Sequence, residues 1–385
     1  MRRSLEGIKV LRSNVFAALL LGAAGSFLLS GCAEQPAEES VTADDSAAET
    51  IETNETTPQP ATPVRDARLE LFAPLPELME SPAHSITLAK VNLGRKLYYD
   101  TRLSKNQDVS CNTCHLLGNF GVDGLPASIG HLEQVGLRNA PTVYNAAGHL
   151  AQFWDGRAED VEAQAKSQLL DPIEMAMPDE AAVETILRSV LGYAPMFAAA
   201  FPEDEQPVTF ANTASAIGAF ERGLTTPSRF DDYLAGDDEA LSEIELEGLI
   251  TFLDVGCATC HSGAYVGGST YQKIGLVKAW VDKEDVTDLG RFDITGDEAD
   301  KQVFKVPSLR NISHTAPYFH DGSVSSLNEA VRLMGEYQLG VELSNEQVIS
   351  IIAFLNALDG RIDEAYVAIP ELPESSESTP PPDPT

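Results

Sequence analysis

The chain has 385 residues, 43% of them hydrophobic and 22% charged, enough for two domains of ordinary size. Its formal net charge of −33 argues against a nucleic-acid role, because phosphate would be repelled. A negative surface suits a basic partner, small basic redox proteins among them, although net charge alone also serves solubility.

Arg2, Arg3, Lys9 and Arg12 precede a short apolar run from Phe16 to Leu29, the pattern of an export signal and too short for a comfortable membrane span. Leu29-Ser30-Gly31-Cys32 closes residues 1–32 and resembles a bacterial lipoprotein cleavage box. That resemblance implies a periplasmic protein lipidated at Cys32 and anchored without spanning the bilayer. Ala33, rather than Asp, implies the outer membrane. The competing reading is an ordinary signal peptide with an incidental Cys. Residues 33–66 carry nine acidic residues against Arg65, amid Thr, Ala, Pro and Ser, so 33–67 is expected to be a disordered tether. Residues 371–385, rich in Pro, Ser and Glu, are expected to be a second disordered tail.

Four further cysteines lie in Cys111-Asn112-Thr113-Cys114-His115 and Cys257-Ala258-Thr259-Cys260-His261. Both are C-x-x-C-H, the attachment pattern of c-type haem. Two thiols three residues apart on a helical turn can bind both vinyl groups of one porphyrin, and the following His faces the iron. Competing readings are a redox dithiol or a shared four-cysteine zinc site, but both leave the His after each pair unexplained. Two covalent haems follow.

The motifs head an internal repeat. Pro141-Thr142-Val143-Tyr144-Asn145 matches Pro307-Ser308-Leu309-Arg310-Asn311; Phe153-Trp154-Asp155-Gly156 matches Phe319-His320-Asp321-Gly322; Glu162-Ala163 matches Glu329-Ala330. The spacing predicts a mainly α fold of two cytochrome c-like haem domains related by duplication, over 68–236 and 237–370. Ser242 and Glu245 predict a capping box before Leu246, Leu249, Ile250 and Leu253. Ser344 and Gln347 predict another before Val348, Ile351, Ile352 and Leu355, with Gly360 just beyond.

The second axial ligands distinguish an enzyme from an electron wire. After His261 the only Met is Met334, with His314 and His320 as competitors; a Met ligand raises the reduction potential. The corresponding stretch of the first repeat, around Ser167 and Gln168, has no Met, so the two haems should be unlike. Downstream of His115 the candidates are His131, in a loop with Gly121, Gly124 and Gly130, and His149.

From about Leu93 to Gly360 the chain resembles the bacterial dihaem cytochrome c peroxidases. The likeness is carried by Leu93-Gly94-Arg95-Lys96-Leu97-Tyr98, Ser128-Ile129-Gly130-His131, Arg138-Asn139-Ala140-Pro141-Thr142, Phe153-Trp154-Asp155-Gly156-Arg157, Asp171-Pro172-Ile173-Glu174-Met175, Pro317-Tyr318-Phe319-His320-Asp321-Gly322 and Met334-Gly335. The resemblance implies a peroxidase that reduces hydrogen peroxide with electrons from a small donor such as a cytochrome c or cupredoxin. It selects Met334 for the second haem and His131, as a detachable ligand, for the first. It implies Glu174 as the proton carrier, Gln164 as a distal-pocket group and Trp154 as the aromatic between the haems. It also implies calcium held by Asn139 and by backbone oxygens of Thr315 and Pro317, and a possible homodimer. A related enzyme matures a tryptophan-derived quinone, but it has Tyr where this chain has Met334. A tethered dihaem electron carrier and a peroxide sensor also compete with the peroxidase, because both would need the same two haem motifs.

Overall fold

The computed structural model describes residues 65–280 and 288–385. The expected export signal, Cys32 and the tether up to residue 64 lie outside the described residues. In chain order the helices are α1 (Leu88–Tyr99), α2 (Cys111–Cys114), α3 (Val161–Leu170), α4 (Glu180–Ser189), α5 (Tyr193–Ala200), α6 (Phe210–Glu221), α7 (Arg229–Leu234), α8 (Glu243–Asp254), α9 (Phe292–Thr295), α10 (Leu327–Leu333), α11 (Asn345–Asn356) and α12 (Glu364–Val367). Two short strands, β1 (Tyr271–Lys273) and β2 (Val303–Lys305), pair antiparallel with Tyr271 opposite Lys305. The chain is mainly helical, as its capping signals predict. Both predicted capping boxes form, at Ser242/Glu245 before α8 and at Ser344/Gln347 before α11. Of the α8 stripe, Leu249 and Leu253 are buried, whereas Ile250 is exposed.

Two large apolar cores, with two smaller clusters beside them, form among the described residues. Leu93, Leu97, Leu169, Leu187, Phe197 and Ile217 build the first from α1 and α3–α6. Leu249, Phe252, Val348, Ile351 and Phe354 supply the α8 and α11 faces of the second. Each core is closed by two helices that touch backbone to backbone. A Cβ on Gly94 of α1 would lie 1.8 Å from the Ala216 carbonyl oxygen of α6, and a Cβ on Gly248 of α8 would lie 1.8 Å from that of Ser350 on α11. Only glycine permits this approach. The halves meet at Thr226, whose Oγ1 accepts from Asn145 Nδ2 at 2.8 Å and from Asn311 Nδ2 at 2.9 Å. These asparagines occupy matching repeat positions, and both have left-handed backbone, with φ of 62° and 60°.

The cores do not divide at the expected boundary of 236/237. Phe72, from the start of the described chain, packs edge-on against Phe230 of α7 at 5.3 Å, and both belong to the second core. Conversely Tyr366 of α12 stacks on Phe220 of α6 at 5.2 Å. Each exchange gives an aromatic ring from one half its cover in the other. The tether expectation also ends early, because Arg65 already pairs with Asp238 at 2.8 Å.

Residues 371–385 are not a free tail. Pro373 O accepts from Arg102 Nη1 at 2.9 Å, Glu374 O from Leu191 N at 2.9 Å and Pro380 O from Gln107 Nε2 at 2.8 Å; Asp383 N donates to Lys105 O at 3.0 Å. Composition suggested disorder because the segment has little to bury. Its extended, proline-rich backbone instead offers carbonyls with no internal partner, and the first half supplies the donors.

Candidate active site: two unlike cavities

Both C-x-x-C-H motifs are shaped by local hydrogen bonds. A capping box between Ser110 and Thr113 starts α2, and the His115 amide closes the turn onto Cys111 O at 3.0 Å. The buried Tyr98 hydroxyl fixes the His115 carbonyl at 2.8 Å. In the second motif Gly256, at φ 97°, turns the chain into Cys257–Thr259, and the His261 amide again returns to Cys257 O at 3.0 Å. Two thiols and a histidine on one tight turn, beside a cavity, fit a porphyrin attached through two thioethers.

The competing cysteine readings fail on geometry and acidity. Among the described residues the two cysteine pairs do not converge with each other or with other metal-ligating groups. Burial pushes the Cys114 thiol up to about 11 and that of Cys257 up to about 12, the reverse of a reactive dithiol. Burial also lowers the proton affinity of both motif histidines, His261 to about 4, so each imidazole is neutral and free to act as a ligand.

The first cavity, of about 1170 Å³, is lined by Cys114, His115, Trp154, Gln164, Gln168 and Glu174. Gln164 and Gln168 are one turn apart on α3. Gln168 Nε2 donates to Glu174 Oε2. Burial, reinforced by the nearby Asp171 charge and opposed by Arg157, raises the Glu174 carboxyl to about 7. Sequence reasoning missed two groups here. Gln168, noted only as the place where Met is absent, holds the carboxylate. Glu221, at the end of α6, also lines the cavity, and burial beside Glu162 raises it to about 8. Nothing in its sequence context separates Glu221 from a surface acid.

His131 does not line this cavity in the structure. Its backbone N–H donates to Glu174 O at 2.8 Å, and both ring nitrogens are buried without a hydrogen-bond partner. The loop beyond it is strained, with Leu132 at φ 55° and Glu133 at φ 59°. Gly130 allows close contact, since a Cβ there would lie 2.3 Å from Ile173 O. The His131 loop and the Glu174 loop therefore pack directly on each other.

The second cavity is lined by Cys257, Cys260, His261 and Met334. Met334 stands where α10 passes into a π-helical turn, Met334–Leu339. His314 is occupied elsewhere, stacked on Phe120 at 3.9 Å and 3.3 Å from Asp359. His320 lines both cavities and stacks on Phe304 at 4.2 Å. Trp154 also lines both, its indole N–H donating to Asn139 O at 2.9 Å. Asn139, Thr315 and Pro317 share the wall of the second cavity. His149 lines the second cavity and not the first.

Two attachment motifs opening on unlike cavities, one with a methionine and one with a carboxyl poised near neutrality, define the class as a c-type cytochrome with two haem sites. The family described as di-haem cytochrome c peroxidase matches residues 88–239. A cytochrome c551 peroxidase of Pseudomonas aeruginosa is 44% identical over 326 residues, covering 83% of this chain and 92% of that protein. A cytochrome c551 peroxidase of Nitrosomonas europaea is 47% identical over 289 residues, covering 75% and 84%. Among solved structures, a MauG-like protein associated with microbial copper homeostasis superimposes with a TM-score of 0.69 at 30% identity, covering 77% of this chain and 97% of that one. The chain belongs to the di-haem cytochrome c peroxidase family. As a member it is an oxidoreductase that reduces hydrogen peroxide with electrons from a small redox protein, and the family implies two c-type haems as cofactors.

Proposed function

We propose that hydrogen peroxide is reduced in the first cavity and that electrons enter through the second. His115, with Cys111 and Cys114, would hold the first haem; His261 and Met334, with Cys257 and Cys260, would hold the second. When bound, the haems supply the electron transfer that cleaves the peroxide O–O bond. The protein's part is to orient peroxide and to move its proton.

Glu174 is the proton carrier. Its carboxylate takes the proton from one peroxide oxygen and returns it to the other, so that the departing oxygen leaves as water. A carboxyl near pH 7 holds either state at small cost. Gln168 fixes Oε2, which leaves Oε1 for the substrate, and Gln164 on the same wall orients peroxide. His131 is the ligand that withdraws to admit substrate. Its unpartnered ring on a strained loop suits a group that trades one setting for another. Trp154, on the wall of both cavities, is the route for electrons between them.

Asn139 is read as a calcium ligand together with the backbone oxygens of Thr315 and Pro317, which ties the halves together. Chelation is then expected to slow turnover, with recovery on adding calcium. The matched glycine contacts and the paired asparagines on Thr226 support an origin by duplication. A periplasmic site, lipid anchoring at Cys32 and a homodimer complete the reading.

The observation that carries the assignment is the asymmetry between the cavities, Glu174 and Gln168 in one and Met334 in the other. The test is steady-state peroxide reduction by the dihaem protein with a reduced small cytochrome c, before and after one-electron pre-reduction. Turnover that rises on pre-reduction supports withdrawal of His131. No turnover in either state with several donors would remove the peroxidase reading.

A further inference from the structure

The second cavity is also unlike the first in charge. In a chain of net charge −33, no Asp or Glu among the described residues lines it, whereas Lys273 and Lys305 both do. The first cavity has the opposite balance: Asp155, Asp171, Glu174, Glu221, Asp288, Asp293 and Asp321 against Arg138 and Arg157.

Lys305 is the unusual member. It ends β2, is only 7% exposed and is held from behind. Its Nζ donates to Ala151 O at 2.9 Å and lies 3.4 Å from His149 Nδ1. An ammonium has three donors, and the third finds no acceptor among the described residues. Among the described residues no carboxylate forms an ion pair with it either. Asp155 acts on it only from a distance and is already shared between Arg138 at 2.6 Å and Arg157 at 3.1 Å. A buried ammonium without a counter-charge is costly, so such groups are paired or serve a bound anion. His149 offers no counter-charge either: an imidazole is neutral or cationic, and burial together with Lys305 keeps this ring neutral.

We propose that Lys305 is the anchor for a carboxylate of the haem in the second cavity, and that its positive charge holds that haem at a higher reduction potential than the first. The proposal rests on the reading that His261 carries a haem. The haem's carboxylates are the anionic groups that enter this cavity once it is loaded. Adding an electron makes the centre more negative, so a neighbouring cation favours the reduced state. The carboxylate-rich first cavity acts in the opposite direction. The charge of the two walls thus sets the direction of electron flow alongside the Met334 ligand.

The test is redox titration of each haem, followed optically, in the dihaem protein and in Lys305→Met and Lys305→Arg. Haem content, two per chain, checks the underlying reading separately. Lys305→Met is expected to lower the reduced-to-oxidised ratio of the second haem about tenfold at fixed poise, roughly 59 mV for one electron. Lys305→Arg should keep the wild-type value, and the first haem should stay put in both. An unchanged second-haem potential in Lys305→Met overturns the proposal, as does a shift confined to the first haem. If Lys305→Met takes up one haem while Lys305→Arg takes up two, the anchor is supported. If both fail to load the second haem, packing rather than charge is at work and the proposal falls.

Discussion

Replacing Glu174 by Gln keeps the shape of the side chain and removes its ability to carry a proton. The structure sets the size of the effect. Burial and Asp171 lift the carboxyl from an ordinary 4.5 to about 7, a difference worth at most about 3 kcal/mol between its two forms. Proton transfer by a positioned group contributes on the order of 10²–10⁴-fold to rate, so kcat/KM for peroxide should fall by about that much in Glu174→Gln. Because the carboxylate must accept a proton first, wild-type kcat/KM should decline about tenfold per pH unit below pH 7, and the variant should lack that limb. Stability carries an independent sign. A carboxyl whose folded proton affinity is raised contributes its full share below about pH 4.5 and loses it as pH rises through about 7. Glu174→Gln should therefore match wild type at pH 4 and be more stable at pH 8, by no more than about 3 kcal/mol. Stopped-flow peroxide consumption and thermal melts at the two pH values read both. Turnover within tenfold of wild type, with the acid limb intact, would refute the proton role.

Met334→His should lower the potential of the second haem and abolish any sulfur–iron charge-transfer band in the red, while the first haem's spectrum stays unchanged. Removing residues 371–385 should cost about 2 kcal/mol, since several half-exposed hydrogen bonds to the first half are lost. Melting should drop by several degrees, and amide exchange should quicken at Leu191, whose N–H loses the Glu374 carbonyl; equal exchange there would refute the docking. Arg310→Ala should cost about 3–5 kcal/mol, because Arg310 is buried and grips Asp231 through two bonds of 2.7 and 2.8 Å. A denaturant midpoint within error of wild type would show that the pair is not the brace it looks.

Much of the site was legible in the sequence because its chemistry is local. A C-x-x-C-H turn needs only its own residues to present two thiols and an imidazole, and the structure forms both through hydrogen bonds within a few residues. The capping boxes at Ser242 and Ser344 are local in the same sense. Met334 could be singled out because no other Met follows His261, and the structure places both on one cavity wall.

What the sequence left open depends on long-range packing. Phe72 joins the second core and Tyr366 packs on Phe220 of α6 because each ring finds its cover in the other half of the chain, which no local pattern encodes. The tail docks because Arg102, Gln107 and Leu191 present unpaired donors to its carbonyls. Glu221 and Lys305 look like any surface acid and base in the sequence. Only burial beside Glu162 for one, and enclosure by Ala151 and His149 for the other, make them groups of the cavities. The covalent attachment sites follow from the order of neighbouring residues; the charge and proton affinity around them follow from what the fold brings near and keeps from water.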